Sequence, residues 1–324
     1  MVAATPTRPA QLERPSPSTW LPAFVLLSAL WGSSFLFIKL GIESIPPLWV
    51  AWGRLVVGAG ILLLVLAIQR VRLPHSRRIW AHIGFNSLFT NAIPFALFAL
   101  GETLISSVLA GLWNATTPLF TVVIAAAMLP DERATLRKVV GLGIGLIGVI
   151  GILGPWRGVS GDLLLGSALC IGAALCYAIG TPYSRRFISG SGFSGISLAA
   201  AQLMCAAAWL TLTLPLTPSP ADVTAKSLAA VIALGVLGTG FAFALYWMLV
   251  RAVGATTTVT VTYLMPVWST LLGVAVLGET LTWNEPIGAL IVLLGVAISE
   301  GLIFRRRRGR PNGSIEPVIG THSG

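Results

Sequence analysis

Charge is scarce in this chain. Asp, Glu, Lys and Arg together make up 10% of its 324 residues, against roughly a quarter in a soluble domain. Cysteine is nearly absent too. Cys170, Cys176 and Cys205 lie in apolar segments with no CxxC spacing and no histidine beside them, which argues against a disulfide framework and a zinc site. The three histidines, His75, His82 and His322, are scattered between a basic loop, a helix end and a tail. There is no nucleophile elbow, no helix with paired carboxylates and no metal-ligand spacing. Catalysis, metal and organic cofactor are therefore all unexpected. Residues 1–19 hold Pro6, Pro9, Pro15 and Pro17 among polar residues, and read as a disordered tail rather than a signal peptide.

What the chain has in excess is apolar sequence. Hydrophobic residues make up 55%, in runs repeatedly near ~20 residues, the length that crosses a bilayer. Ten such runs fit between residues 20 and 304, so the expectation is an all-α polytopic membrane protein with ten transmembrane helices. The net charge of +10 could point to nucleic acid. Its distribution points elsewhere, and no nucleic-acid-binding motif accompanies it. With the N-terminus inside, Arg70, Arg72, Arg77, Arg78, Arg137, Lys138, Arg185, Arg186, Arg251 and the arginines of 305–310 all fall on the inner side. Only Arg157 and Lys226 fall outside, with Glu43, Glu102, Asp162, Asp222, Glu279 and Glu285. This is the positive-inside pattern. It predicts a multi-pass protein of the cytoplasmic (inner) membrane with both termini cytoplasmic. Trp20 and Trp80 then mark the inner interface, and Trp49, Trp52, Trp156 and Trp283 the outer one.

Two apolar runs carry a matched signature. Residues 114–121 read Asn-Ala-Thr-Thr-Pro-Leu-Phe-Thr, and residues 262–269 read Thr-Tyr-Leu-Met-Pro-Val-Trp-Ser. A shift of 148 positions lays Pro118 on Pro266 and Phe95 on Phe243. A shift one shorter lays Gly141 on Gly288 and Gly148 on Gly295, and a shift of 145 lays Leu30-Trp31 on Leu175-Cys176. The chain therefore divides into a first repeat over 20–155, a second over 160–304 and a basic tail over 305–324. Five helices per repeat is an odd number, so the halves enter the membrane oppositely and form two inverted repeats.

A proline inside a helix removes a hydrogen bond and crowds the carbonyl four residues back. Pro118 and Pro266 are thus expected as helix breaks that free the carbonyls of Asn114 and Thr262. In lipid such a break is tolerated only where protein or a water-filled cavity satisfies it. Ala110, Asn114, Thr117 and Thr121 share one helix face, and map by the repeat onto Thr258, Thr262, Met265 and Ser269. Two readings stand: a cavity lining for small-molecule substrate, or helix packing by small and polar residues. Arg54 lies inside the second span, and intramembrane cations mark a functional site or an ion pair. Its structural partner would be Glu102; its functional partner would be an anionic group on the substrate. Lys39 is expected to snorkel to the outer interface. Trp31, Asn91, Tyr177, Gln202, Tyr246 and Tyr263 complete the candidate substrate-binding set as polar or aromatic residues within apolar spans. Gly141, Gly145, Gly148, Gly288 and Gly295 permit close helix contact, within the chain or as a subunit contact in a homodimer.

Ala29-Leu30-Trp31-Gly32-Ser33-Ser34-Phe35, Arg54, Pro118, Leu277-Gly278-Glu279-Thr280-Leu281 and the glycine-spaced helix that closes each half resemble, in this order and duplication, the EamA-type branch of the drug/metabolite transporter (DMT) superfamily. Pro130-Asp131-Glu132 stands where that family usually has Gly-Glu. The resemblance implies a ten-helix bundle whose central cavity carries small metabolites, amino acids or drugs, often outward. The expected function is a secondary transporter working by alternating access, as an exporter. The alternative is a channel or structural membrane protein. A channel would favour a ring of filter residues from several subunits, whereas this chain carries an internal two-fold. Proton-driven relatives of the superfamily's small multidrug branch carry a glutamate in the first helix, where this chain has Lys39 and no acid. Glu300 is the sole acid well inside a span and sits beside Arg305.

Overall fold

The protein is all helical across its spans. A computed structural model describes residues 16–129, 135–158 and 160–299. The two tails, Pro130-Asp131-Glu132 and Glu300 lie outside the described residues. Among the described residues nine helices are long and apolar enough to span a membrane: α1 Ser18–Gly41, α2 Pro47–Gln69, α3 Arg77–Gly101, α4 Ser107–Met128, α5 Leu136–Leu153, α6 Gly161–Phe187, α7 Gly195–Leu216, α8 Ala225–Val253 and α9 Thr257–Leu277. A shorter apolar helix, α10 Asn284–Ser299, follows. Ser76, Ser106, Thr135, Ser160, Ser194 and Thr224 each cap a helix by accepting a backbone N–H three residues on. Such caps satisfy donors that the first helical turn leaves open, so short polar loops suffice to reverse the chain.

The repeat is visible in the backbone itself. Pro47 and Gly195, Arg77 and Ala225, Leu136 and Asn284 open equivalent helices 148 positions apart. The correspondence extends to irregularities. A π-helical turn over Leu88–Ala92 interrupts α3, and one over Val236–Phe241 interrupts α8. Pro94 lies just after the first turn, and Gly238 and Gly240 lie within the second; π turns inside α-helices occur often at functional sites.

α4 breaks at Ala115 and Thr116, and a new helical segment starts at Thr117. In α9 the break is a 3-10 turn over Thr260–Leu264, after which the helix resumes at Met265. Pro118 and Pro266 thus occupy the first turn of a resumed helix, where a missing N–H costs nothing. This corrects the expected consequence in α9. The carbonyl of Thr262 is not freed, because the Met265 N–H bonds to it.

α5 and α10 close their halves by packing on each other. A Cβ on Gly295 would lie 2.5 Å from the Gly145 nitrogen and 2.6 Å from the Gly141 oxygen, and one on Gly148 would lie 2.7 Å from the Gly288 oxygen. The glycine faces are therefore buried against one another within the chain and do not present a surface to a second copy. Leu136, Val139, Ile147 and Ile150 of α5, with Ile287 and Leu290 of α10, point outward. Trp156 and Trp283 stack at one end of this pair, ring centres 6.0 Å apart.

Candidate functional site

Arg54 comes from α2 and is buried. Gly58, one turn further, lets α2 approach α8 closely, since a Cβ there would meet the Thr239 side chain at 2.6 Å. That approach sets the guanidinium against the π turn of α8. Arg54 Nε donates to Thr239 Oγ1 at 2.9 Å. The Thr239 hydroxyl directs its own proton to the Leu234 carbonyl at 3.0 Å, so its lone pairs face the cation. The Arg54 guanidinium carbon lies 3.7 Å from the centre of the Phe95 ring. A desolvated contact of that kind contributes about 2 kcal/mol. Among the described residues no carboxylate lies within ion-pairing distance of Arg54. Glu102 and Tyr177 act on it only through space. The expected structural pairing with Glu102 is thus not made.

On the other side, α7 brings Gln202 to the π turn of α3. Gln202 Nε2 donates to Asn91 Oδ1 at 2.8 Å and to Thr90 Oγ1. Arg54 and Gln202 are 148 positions apart, and so are Asn91 and Thr239. The two bonds are the same contact made twice across the internal two-fold: a long donor on the second helix of one half reaches the π turn on the third helix of the other. Each π-turn residue is followed four positions later by a phenylalanine, Phe95 or Phe243, on the same helix face. Phe95 lies under Arg54. Phe243 packs edge-on to Trp31 with centres 6.1 Å apart, and Trp31 lies 5.5 Å from Tyr246. Tyr177 joins the arrangement through Phe98, with centres 6.2 Å apart. Thus Trp31, Arg54, Asn91, Tyr177, Gln202 and Tyr246 fall into one aromatic and polar layer between the halves. Thr239, Phe95, Phe243 and Thr90 belong to it and were not chosen from sequence, although the shift of 148 already pairs Asn91 with Thr239.

Asn114, Thr117, Thr262 and Tyr263 sit apart from these two bonds, where α1, α4 and α9 cross. Gly32 faces Trp268 and Met265, and Gly111 faces Ser269 so closely that a Cβ at either position would overlap its neighbour. Asn114 Nδ2 points to Met265 Sδ at 4.0 Å, a weak contact. Thr117 Oγ1 is buried without a hydrogen-bond partner among the described residues. Thr262 Oγ1 donates to the Val259 carbonyl at 2.9 Å, and Thr121 and Ser269 also bond to their own helices. Tyr263 packs against the main core cluster. Asn114 thus meets the repeat image of Thr117, and among the described residues no hydrogen bond joins it to Thr262.

Two surface grooves flank the bundle. One of about 750 Å³ lies along α1 beside Trp268, and one of about 240 Å³ lies between α5 and α10. Both are apolar, and neither is lined by any of the candidate substrate-binding residues. Among the described residues no cluster of His, Cys, Asp and Glu could hold a metal ion.

The arrangement is that of a membrane protein built from two inverted repeats, with polar side chains of both halves meeting midway along the helices. The chain belongs to the EamA-like transporter family, whose model matches twice, over residues 18–154 and 164–300. It is 26% identical to the uncharacterized transporter YoaV of Bacillus subtilis (strain 168), over 87% of this chain and 97% of that one. It is 29% identical to the uncharacterized inner membrane transporter YedA of Escherichia coli (strain K12), over 86% and 90%. A solved crystal structure aligns with a TM-score of 0.64 at 23% identity, covering 90% of this chain and 100% of that one. That likeness concerns the fold.

Proposed function

We propose that this membrane transporter is a secondary transporter of small metabolites that carry a carboxylate, with zwitterionic amino acids the favoured class, and that it works by alternating access. The observation that carries the reading is the duplicated contact with unequal charge. One copy holds a guanidinium and the other an amide. A guanidinium presents a planar fork that matches a carboxylate, and among the described residues Arg54 bonds to protein through Nε alone. Gln202, with the unpartnered Asn91 Nδ2, offers neutral donors and acceptors to the remainder of the substrate. Inverted repeats of this kind rock about a site near the membrane midplane, and these contacts cross the line along which the halves would part. The family and the names of its members point to transport rather than catalysis, and no cofactor is needed.

The cytoplasmic membrane is the proposed location, supported by the name of the Escherichia coli relative. Outward transport is the direction that the family resemblance implies. A cytoplasmic position for both termini is part of the same proposal, supported by the charge pattern. Single cysteines in the 70–78 loop should then react only with reagents that cross the membrane, and labelling from outside would contradict that orientation. The outward faces of α5 and α10 meet lipid, and a homodimer would use that same surface because the glycine seam is already closed. A channel is the weaker reading, since the contacts cross one internal two-fold instead of ringing a pore.

The carboxylate reading is tested with toxic amino-acid analogues and their amides. Cells producing the protein should tolerate the zwitterionic analogues better than control cells do, with little gain against the amides. Equal gains for both would remove the carboxylate from the reading.

A further inference from the structure

The end of the bundle formed by the α3–α4 turn holds a carboxylate that the transport site does not use. Glu102 follows α3 directly and is fully buried, and neither carboxyl oxygen has a hydrogen-bond partner among the described residues. Lys39 of α1 turns inward here instead of snorkelling to the interface. Its ammonium bonds to the carbonyls of Glu102 at 2.6 Å and Ile105 at 2.8 Å, so it holds the turn together. Glu279, just after α9, accepts from Ser107 N at 2.8 Å, Ser107 Oγ at 2.9 Å and Val108 N at 3.0 Å. A second carboxylate nearby opposes ionisation of Glu102. Arg54 acts on Glu102 from α2 through space. From α6, Cys170 packs against Gly101, where a Cβ would lie 2.6 Å from its sulfur. Burial pushes the Glu102 carboxyl well above the usual carboxylate range; Lys39 pulls it down, Glu279 pushes it further up and Arg54 pulls it down again.

Glu279 belongs to the second repeat, and it clamps the first turn of α4 in the first. This end of the molecule is therefore shut by a contact between the halves, with Glu102 beneath it. We propose that Glu102 is a proton-binding site of this transporter, protonated while this end is closed over it and deprotonated by water when the end opens. The inference rests on the alternating-access reading. The step is simple in its balance: closing forms one carboxyl O–H bond with a proton taken from the water on that side, and opening returns it. An exposed glutamate has a pKa near ~4.3. The closed end holds the proton to higher pH, so between the two values rising pH favours the open end. At its steepest the equilibrium shifts about tenfold per pH unit.

Cys170 is fully buried beside this turn and serves as a built-in reporter of water access. The full chain carrying Cys176→Ser and Cys205→Ser is placed in nanodiscs and labelled with a hydrophilic maleimide across a pH series. The same series is run with Glu102→Gln, which keeps the shape of the protonated side chain. The ratio of the two labelling rates removes the pH dependence that the thiol has in both proteins. That ratio is expected to rise with pH above the range of an exposed glutamate, about tenfold per pH unit at its steepest. Lys39→Gln should move the midpoint of the rise to higher pH. An unchanged ratio across the series would remove Glu102 as the proton site while leaving alternating access intact. An unmoved midpoint in the Lys39 variant would also count against it. Absence of labelling at every pH in both proteins would overturn the proposal together with the opening of this end.

Discussion

Replacing Arg54 with Gln is expected to cut transport of carboxylate-bearing substrates about 10- to 100-fold while costing neutral and cationic substrates far less. Hydrogen bonds to charged groups contribute about 1.5–3 kcal/mol, and each 1.4 kcal/mol is about tenfold in affinity. Arg54 is buried and pairs with no carboxylate among the described residues. Thr239 and the Phe95 ring offset part of its desolvation. An anionic group entering the layer would offset more, and that difference is what a substrate carboxylate contributes. Arg54→Lys should not restore the function. An ammonium has no Nε to reach Thr239 and no planar face to lie on Phe95. Thermal unfolding of the variants separates the two roles. Equal loss for substrates of every charge, with a lower unfolding temperature, would make Arg54 a packing residue.

The glycine seam should show the largest effect on stability. Gly295→Leu is expected to lower stability by about 3 kcal/mol or more, the upper end of the cost of overpacking. A Cβ at Gly295 would stand 2.5 Å from the backbone nitrogen of Gly145 and 2.6 Å from the oxygen of Gly141. Backbone atoms of a helix cannot turn aside as a side chain can, so α5 and α10 would have to separate. Gly143→Leu is the matched control, because nothing lies within 4 Å of a Cβ there. The measurement is the unfolding temperature in detergent together with the yield of monodisperse protein. Similar behaviour of the two variants would show that the seam does not hold α10 in place.

Much of the fold is legible in the chain because membrane helices announce themselves by length and polarity, and the repeat by Pro118 and Pro266. The π turns are only partly legible. Pro94 just after Leu88–Ala92 and the two glycines of Val236–Phe241 weaken an α-helix there, but nothing in the sequence shows that these turns insert a residue. Without them Asn91 and Thr239 would not protrude toward the opposite half. Arg54 stands out because a cation in a span is costly, yet charge alone directs attention to Glu102. The actual partner, Thr239, is found only by carrying the shift of 148 from Asn91. Lys39 departs from its expected position for a similar reason: snorkelling follows from depth in the bilayer, while its bonds depend on two carbonyls that the α3–α4 turn leaves exposed. The glycines signalled close contact correctly, but a sequence cannot say whether the opposing surface is in the same chain.

The most direct test of carboxylate recognition between two moving halves is trans-stimulated flux in liposomes. Purified protein is reconstituted, liposomes are loaded with an unlabelled zwitterionic amino acid, and entry of the labelled compound is followed over a range of concentrations. Wild-type flux should saturate, accelerate with substrate on the far side and be competed by other carboxylate-bearing amino acids but not by their amides; Arg54→Gln should lose that discrimination. Flux that rises linearly with concentration, ignores the far side and is not competed would identify a channel and contradict the alternating-access mechanism.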